Sequence, residues 1–284
     1  MGKYAWVTLI MCGDSYIPGA IVMAYSLRQV KTTADIVALV TLDVSATGVE
    51  ELRKVFDVVI RVGYITGKFN HRLTSKQEAH YGKFMSLLPT KFHCLALTQY
   101  DKVILMDADT LFQLNSDHLF CLPAPAGIWD FYDPIGTATP ADRQLKSIKH
   151  GDRIPVKYVE DAFQATFVCW GTSLVLRPSF DDFDALVKMA KDDNRPDFPK
   201  CPSGFEEQLL GWYYRNAWTK VGKEYGLVPW KRWGDERTAF VLHFYSDKKP
   251  WEYMPEDENV WPDVLIWQAK YREYREWRTT NPKN

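Results

Sequence analysis

Apolar and polar positions along this chain switch between two periods, and each switch marks an element. Residues 6–11 (WVTLIM) are a short continuous apolar run with β-branched members, as in a strand covered on both faces. Gly13-Asp-Ser-Tyr-Ile-Pro-Gly19 breaks the run as a turn. Residues 20–29 then carry Ile21, Ala24, Tyr25 and Leu27 on one helical face. A second buried strand is predicted over 36–41, a helix capped by Ser45 and passing through Val49, Leu52 and Val55, and a third strand over 56–62. Strands and helices alternating at this spacing predict βαβ units and a parallel sheet.

Downstream the pattern is less regular. Residues 63–80 are polar, with Gly63, Gly67, His71 and His80, and are long for a plain connection. Helical spacing returns over 84–99, leading into a buried apolar strand at 103–106. Residues 123–155 are rich in proline, glycine and charge; they predict a surface insertion, reaching to 168, that covers the acceptor side. A further strand is expected over 172–177, helices over 180–190 and 205–214, and a peripheral C-terminal helix over 264–278 within a terminal segment of 255–284. Repeats, low-complexity tracts and linkers are absent, so a single α/β domain over 1–284 is expected.

The chemistry concentrates where the strand at 103–106 ends. It runs straight into Asp107-Ala-Asp109. Aspartates often close a strand as a polar turn, which is one reading. The other is a metal site, since two carboxylates at the end of a buried strand are costly without a counter-charge. A hard divalent cation prefers such oxygen ligands and lets substrate phosphates complete its shell. A second run of ligand-type residues, Val241-Leu-His-Phe-Tyr-Ser-Asp-Lys-Lys-Pro-Trp251, favours the metal. In an open parallel sheet, ligands lie beyond the carboxyl ends of the strands, where Cys12, Asp43 and Asp107 would all fall.

Composition narrows the classes. With 284 residues, 46% hydrophobic and 25% charged, the chain is long enough for a sizeable core. A formal net charge of −1 gives no basic footprint for nucleic acid. The apolar stretches are too short for a membrane span, and the N-terminus lacks a basic leader, so a soluble cytoplasmic protein is expected. Five cysteines without metal spacing (Cys12, Cys94, Cys121, Cys169, Cys201) read as reduced thiols. The 11 tryptophans and 15 tyrosines supply flat rings able to stack on sugars or bases, although most such rings serve packing.

Several stretches together resemble a family: Val7-Thr-Leu9, Tyr16 with Gly19-Ala20, Thr90-Lys-Phe-His-Cys94, Leu97-Thr-Gln-Tyr100, Met106-Asp-Ala-Asp-Thr110, and Val241-Leu-His-Phe with Lys249-Pro-Trp251. They resemble the glycogenin-like glycosyltransferases of family 8, over residues 5–110 and 235–255 and in patches between. The resemblance implies a GT-A (Rossmann-like) fold, a mostly parallel central sheet flanked by helices, and retaining transfer from a UDP-sugar. It implies Mn²⁺, with Mg²⁺ as the alternative, on Asp107, Asp109 and His243. Lys249 would contact the diphosphate as a catalytic charge, Leu9 and Tyr16 the uracil and ribose, and Ala108 the donor between the aspartates. Lys91 would lie near the sugar, with Glu207 and Gln208 as the catalytic residues beside it.

Two departures bear on specificity. Where the family has an asparagine that touches the sugar, this chain has Trp170, which leaves UDP-glucose only as the default donor. The stretch that carries a self-glucosylated tyrosine in glycogenin is shortened to about 225–235, which implies a separate glycan, lipid or small-molecule acceptor. Neither a nucleic-acid partner nor a membrane span is expected, and a homodimer is left open. Two other classes compete: a catalytically silent carbohydrate-binding protein of the same fold, and a nucleotidyltransferase. Met11-Cys-Gly-Asp-Ser-Tyr16 is not the glycine-rich, basic phosphate loop the second would need.

Overall fold

The apolar runs become strands in the computed structural model, which describes residues 2–68, 82, 84–129, 147–165, 169–195, 204–229, 237–254, 257 and 260–281. Among these residues nine strands form: β1 (Tyr4–Ile10), β2 (Asp35–Thr41), β3 (Val58–Val62), β4 (Lys102–Met106), β5 (Thr110–Phe112), β6 (Ala126–Ile128), β7 (Leu174–Leu176), β8 (Thr219–Val221) and β9 (Val241–His243). Among the described residues the α-helices are α1 (Ile17–Gln29), α2 (Ala46–Arg53), α3 (Val156–Ala165), α4 (Phe180–Lys191), α5 (Phe205–Tyr213) and α6 (Pro262–Thr280). Seven strands make one sheet in the order β3-β2-β1-β4-β7-β6-β8, and β5 pairs with β9 apart from it. β2 and β3 are parallel, as are β6 and β8, whereas β7 runs against both of its neighbours, β4 and β6. This is the mostly parallel α/β sheet that the periodicity implied.

The chain divides into two compact units. One comprises Trp6–Val62, Asp107–His118 and Glu224–Asn284. In it α1 is buried along nearly its whole length, and it begins a turn earlier than the apolar spacing indicated. Pro18 sits in its first turn, where a helix has no use for the missing N–H. Ser45 caps α2 as expected, its Oγ accepting from the Gly48 N–H at 2.9 Å. The Trp6 indole donates to Thr32 Oγ1 and Asp117 Oδ1, fixing β1 to the turn after α1. Helix α6 is not merely peripheral. Its Trp267 is 1% exposed and packs in a core with Val22, Leu111, Leu227, Leu242 and Phe244.

The other unit comprises Met1–Ala5, Gly63–Met106 and Leu119–Lys223. Here the helical spacing before β4 is realised as a 3₁₀ stretch, Met85–Ala96, rather than as an α-helix. Pro89 lies inside it, where its ring would clash with the carbonyl of Met85 in an α-helical turn, which disfavours α winding here. Part of the anticipated insertion turns out to be sheet: β6 is fully buried between β7 and β8, and α3 follows at 156–165. Its remainder at 130–146 and 166–168 lies outside the described residues, as do His71, His80, Cys201 and 230–236. Among the described residues Cys94 and Cys169 are buried, Cys12 and Cys121 exposed, and none is in a disulfide. No described helix is long and apolar enough to cross a membrane.

Candidate functional site

Asp107 and Asp109 flank Ala108 in the turn between β4 and β5, and β9 brings a distant histidine to them. β5 and β9 are antiparallel with Thr110 opposite His243, and Phe244 N–H donates to Asp109 O at 2.9 Å. Thr110 Oγ1 donates to Asp107 O at 2.9 Å, so the turn's shape is fixed by its own hydroxyl. His243 Nε2 stands 3.6 Å from Asp107 Oδ2 and 3.4 Å from Asp109 Oδ1. One ligand atom from each residue falls within 4.8 Å of the others.

That donor set suits a divalent cation. Around a small ion with bonds of about 2.1 Å, neighbouring octahedral ligands stand about 3.0 Å apart and opposite ones about 4.2 Å. The observed 3.4 and 3.6 Å lie between those values. The other ring nitrogen of His243, Nδ1, is buried without a hydrogen-bond partner, and it is Nε2 that stands against both aspartates. Two carboxylate oxygens and one imidazole nitrogen are the hard and borderline ligands that Mn²⁺ accepts.

Lys249 completes the group. Its Nζ donates to Asp109 Oδ2 at 2.7 Å and to Phe244 O at 3.2 Å, with both charged side chains largely buried. Burial works to raise the Asp109 carboxyl, but Lys249 and then His243 more than offset it and hold it well below the usual carboxylate range. Lys249 shifts the opposite way. Burial favours its neutral form, yet Asp109, Tyr16 and Asp107 raise it above an ordinary lysine.

Tyr16 lies 5.8 Å beneath the Lys249 ammonium and meets Trp251 edge-on at 5.4 Å. Burial, the largest cause, pushes its hydroxyl up to about 12, so it stays a donor at neutral pH. Gly19 explains how α1 approaches this turn. A Cβ there would stand 2.7 Å from both Ala108 O and the Trp251 ring. Leu9, on β1, is 9% exposed, and Ala108 is 4% exposed.

The remaining expected residues form a second group in the other unit. Lys91 Nζ donates to Glu206 Oε1 at 2.8 Å, with side chains 11% and 3% exposed. Glu206 Oε2 is buried with no hydrogen-bond partner. Glu207 has both oxygens engaged: Oε1 accepts from Gly171 N–H at 2.6 Å and Oε2 from Gly204 N–H at 2.7 Å. A Cβ on Gly171 would press on Glu206, Glu207 and Lys91 together at 3.0–3.1 Å, so each would have to give by a few tenths of an ångström. Burial and the adjacent Glu206 push the Glu207 carboxyl up, against the pull of Lys91 and the two backbone N–H groups.

Gln208 is 3% exposed on the same helix, and Trp170 N–H donates to Ile128 O at 3.0 Å. Glu206 is not among the residues the resemblance implies, yet it is the partner of Lys91. Its adjacency to Glu207 at a helix start was the available signal. Tyr225, in the shortened acceptor stretch, is 5% exposed with its hydroxyl 2.6 Å from His118 Nε2.

The model of the glycosyl transferase family 8 matches residues 7–129, which include the Asp107–Asp109 turn. Protein R707 of Acanthamoeba polyphaga mimivirus, an uncharacterised protein, is 30% identical over 269 residues, spanning 93% of this chain and 88% of that one. The chain belongs to glycosyltransferase family 8. Mouse glycogenin-1 is 29% identical over 267 residues, 89% of this chain and 67% of its own length. Among solved structures, the glycosyltransferase GlyE of Streptococcus pneumoniae TIGR4 superposes with a TM-score of 0.56 at 13% identity, over 99% of this chain and 64% of that one. That likeness is one of fold, and it fits the GT-A architecture implied by the sequence. This family 8 chain therefore spans about two thirds of the length of glycogenin-1 and of GlyE.

Proposed function

We infer that the chain transfers a hexose from a UDP-sugar to a hydroxyl acceptor with retention of configuration, and that it depends on a divalent cation. The observation that carries this reading is the largely buried group of Asp109, His243 and Lys249 with the half-buried Asp107 beside it, in a chain of this family. A carbohydrate-binding protein without activity has no need of two carboxylates, an imidazole and an ammonium crowded at one turn, because burying them is costly.

Asp107, Asp109 and His243 would hold the cation, Mn²⁺ being favoured over Mg²⁺ by the imidazole ligand. When bound, such an ion supplies Lewis-acid stabilisation of a departing diphosphate. Lys249 contributes a fixed positive charge to the same leaving group. Leu9 and Tyr16 contact the uracil and ribose, with the protonated Tyr16 hydroxyl as a donor. Lys91, Glu207 and Gln208 handle the transferred sugar, Glu207 by placing it. Glucose is the default donor, and the acceptor is a glycan, a glycolipid or a small molecule. The buried Tyr225 supports an acceptor other than the chain itself. The buried thiols of Cys94 and Cys169 support a reducing, cytoplasmic setting.

The test is UDP release by purified protein across a panel of UDP-sugars, with Mn²⁺ and with chelator. One sugar standing out, and only with Mn²⁺, is the expected result. No binding of UDP with Mn²⁺ by any assay would overturn the reading.

A further inference from the structure

The geometry points to Lys249 as a resident counter-ion that makes metal binding depend on the diphosphate, so that neither binds well without the other. This rests on the donor-site reading above and concerns the regulation of that site.

The argument starts from Asp109. Its Oδ1 faces His243 Nε2 at 3.4 Å, on the side where a cation would sit, while its Oδ2 accepts from the Lys249 ammonium at 2.7 Å. One buried carboxylate, 5% exposed, thus has to serve two positive charges. Lys249 does not hang loose over the site. A second contact holds its ammonium to Phe244 O at 3.2 Å, its own backbone N–H donates to Glu252 Oε2 at 2.6 Å, and Pro250 follows directly. An ammonium fixed at this distance repels a divalent ion and takes up charge that the ion would otherwise have to itself, and in a poorly solvated site such repulsion is weakly screened.

A nucleoside diphosphate changes the balance. Its phosphate oxygens give Lys249 and the cation a shared anion, turning a repulsion into a bridge. The coupling is reciprocal, because whatever UDP adds to metal affinity the metal must add to UDP affinity.

Free Mn²⁺ followed by electron paramagnetic resonance, with and without saturating UDP, tests this on the full chain. Wild type is expected to bind Mn²⁺ weakly alone and at least about tenfold more tightly with UDP. Lys249→Met is expected to bind Mn²⁺ alone at least about tenfold more tightly than wild type, with a clearly smaller gain from UDP than wild type shows, since the phosphates still reach the cation. Lys249→Gln, which keeps a donor on Asp109 without the charge, carries the test if the methionine variant does not fold. Unchanged or weaker Mn²⁺ affinity in the folded neutral variant overturns the inference while leaving the donor site standing. Failure of wild type to bind Mn²⁺ even with UDP sinks the donor-site reading itself.

Discussion

Thr110 and His243 face each other across the β5–β9 pair, 133 positions apart in sequence (243 − 110). Three strand positions on each side suffice to bring a histidine against an aspartate turn that the chain left long before. The pairing has unequal consequences for the two aspartates. Asp109 is nearly closed off between His243 and Lys249, with its side chain 7% exposed, whereas that of Asp107 is 22% exposed.

The aspartates should therefore differ in stability while agreeing in activity. Asp109→Asn leaves the Lys249 ammonium buried without its carboxylate, which for a buried pair costs about 3 kcal/mol. Asp107→Asn should cost about 1 kcal/mol or less. Both should lower UDP release by about 100-fold or more, the scale on which a fixed electrostatic group acts. Thermal melts beside UDP-release rates check this. Equal loss of stability in the two variants would contradict the burial argument.

Lys91 and Glu206 are a buried pair in the other unit, and each alone should be a liability. Lys91→Met leaves the buried Glu206 carboxylate beside Glu207 without its cation, and should destabilise by about 3 kcal/mol. Adding Glu206→Gln should recover a good part of that loss, since the uncompensated charge goes with it. Denaturant melts of the two single variants and the double form the cycle. Strict additivity would mean that the 2.8 Å contact carries no coupling.

How much of this was readable in advance follows from what each feature depends on. β1, β2, β3 and β4 were legible because continuous apolar runs bounded by turns are local signals. The aspartate turn was legible because two carboxylates at a strand end are chemically conspicuous. β5 and β9 were not: each has only three residues, and the pairing is a tertiary event. β6 was hidden in a stretch of glycine and proline, since Ala126-Gly-Ile128 has no period to read. Met85–Ala96 showed its helical spacing, but Pro89 inside it disfavours α winding. At the second group, Glu206 and Glu207 were visible as acids at a helix start. Only the fold shows that Glu206 faces Lys91 while Glu207 fastens two loops.

Gly19 should be intolerant of even one methyl. The obstruction includes Ala108 O, a backbone atom between the two aspartates, and not only the Trp251 ring. Gly19→Ala should cost about 1–3 kcal/mol as overpacking and should also weaken Mn²⁺ binding in the presence of UDP, because the turn that aims Asp107 and Asp109 must shift. Trimming Trp251 to leucine in the same chain should not restore metal binding, since the carbonyl remains. Metal affinity matching wild type in Gly19→Ala would show that α1 gives way instead of the turn.

The buried acids also set a direction for the pH dependence of stability. Glu207 is raised in the folded state from 4.5 to about 8, with burial the main cause and Glu206 next. Between those values the unfolded chain has released a proton that folded Glu207 retains, so the folded state binds more protons and stability falls as pH rises. The slope contributed is on the order of 1 kcal/mol per pH unit, and it ends above the folded value. Asp109 acts in the opposite sense at lower pH. Depressed in the folded state, it contributes stability above its ordinary 3.8 and loses it as acid protonates it. Wild type should therefore melt at progressively lower temperature from pH 5 towards 8. Glu207→Gln should flatten that decline, although it starts from a lower stability. One amide N–H₂ then faces a backbone N–H of Gly171 or Gly204, forfeiting a hydrogen bond worth about 1 kcal/mol and leaving a donor unpaired. Melting temperatures of both proteins across this range decide it: an unchanged slope in the glutamine variant would mean that the retained proton belongs elsewhere than to Glu207.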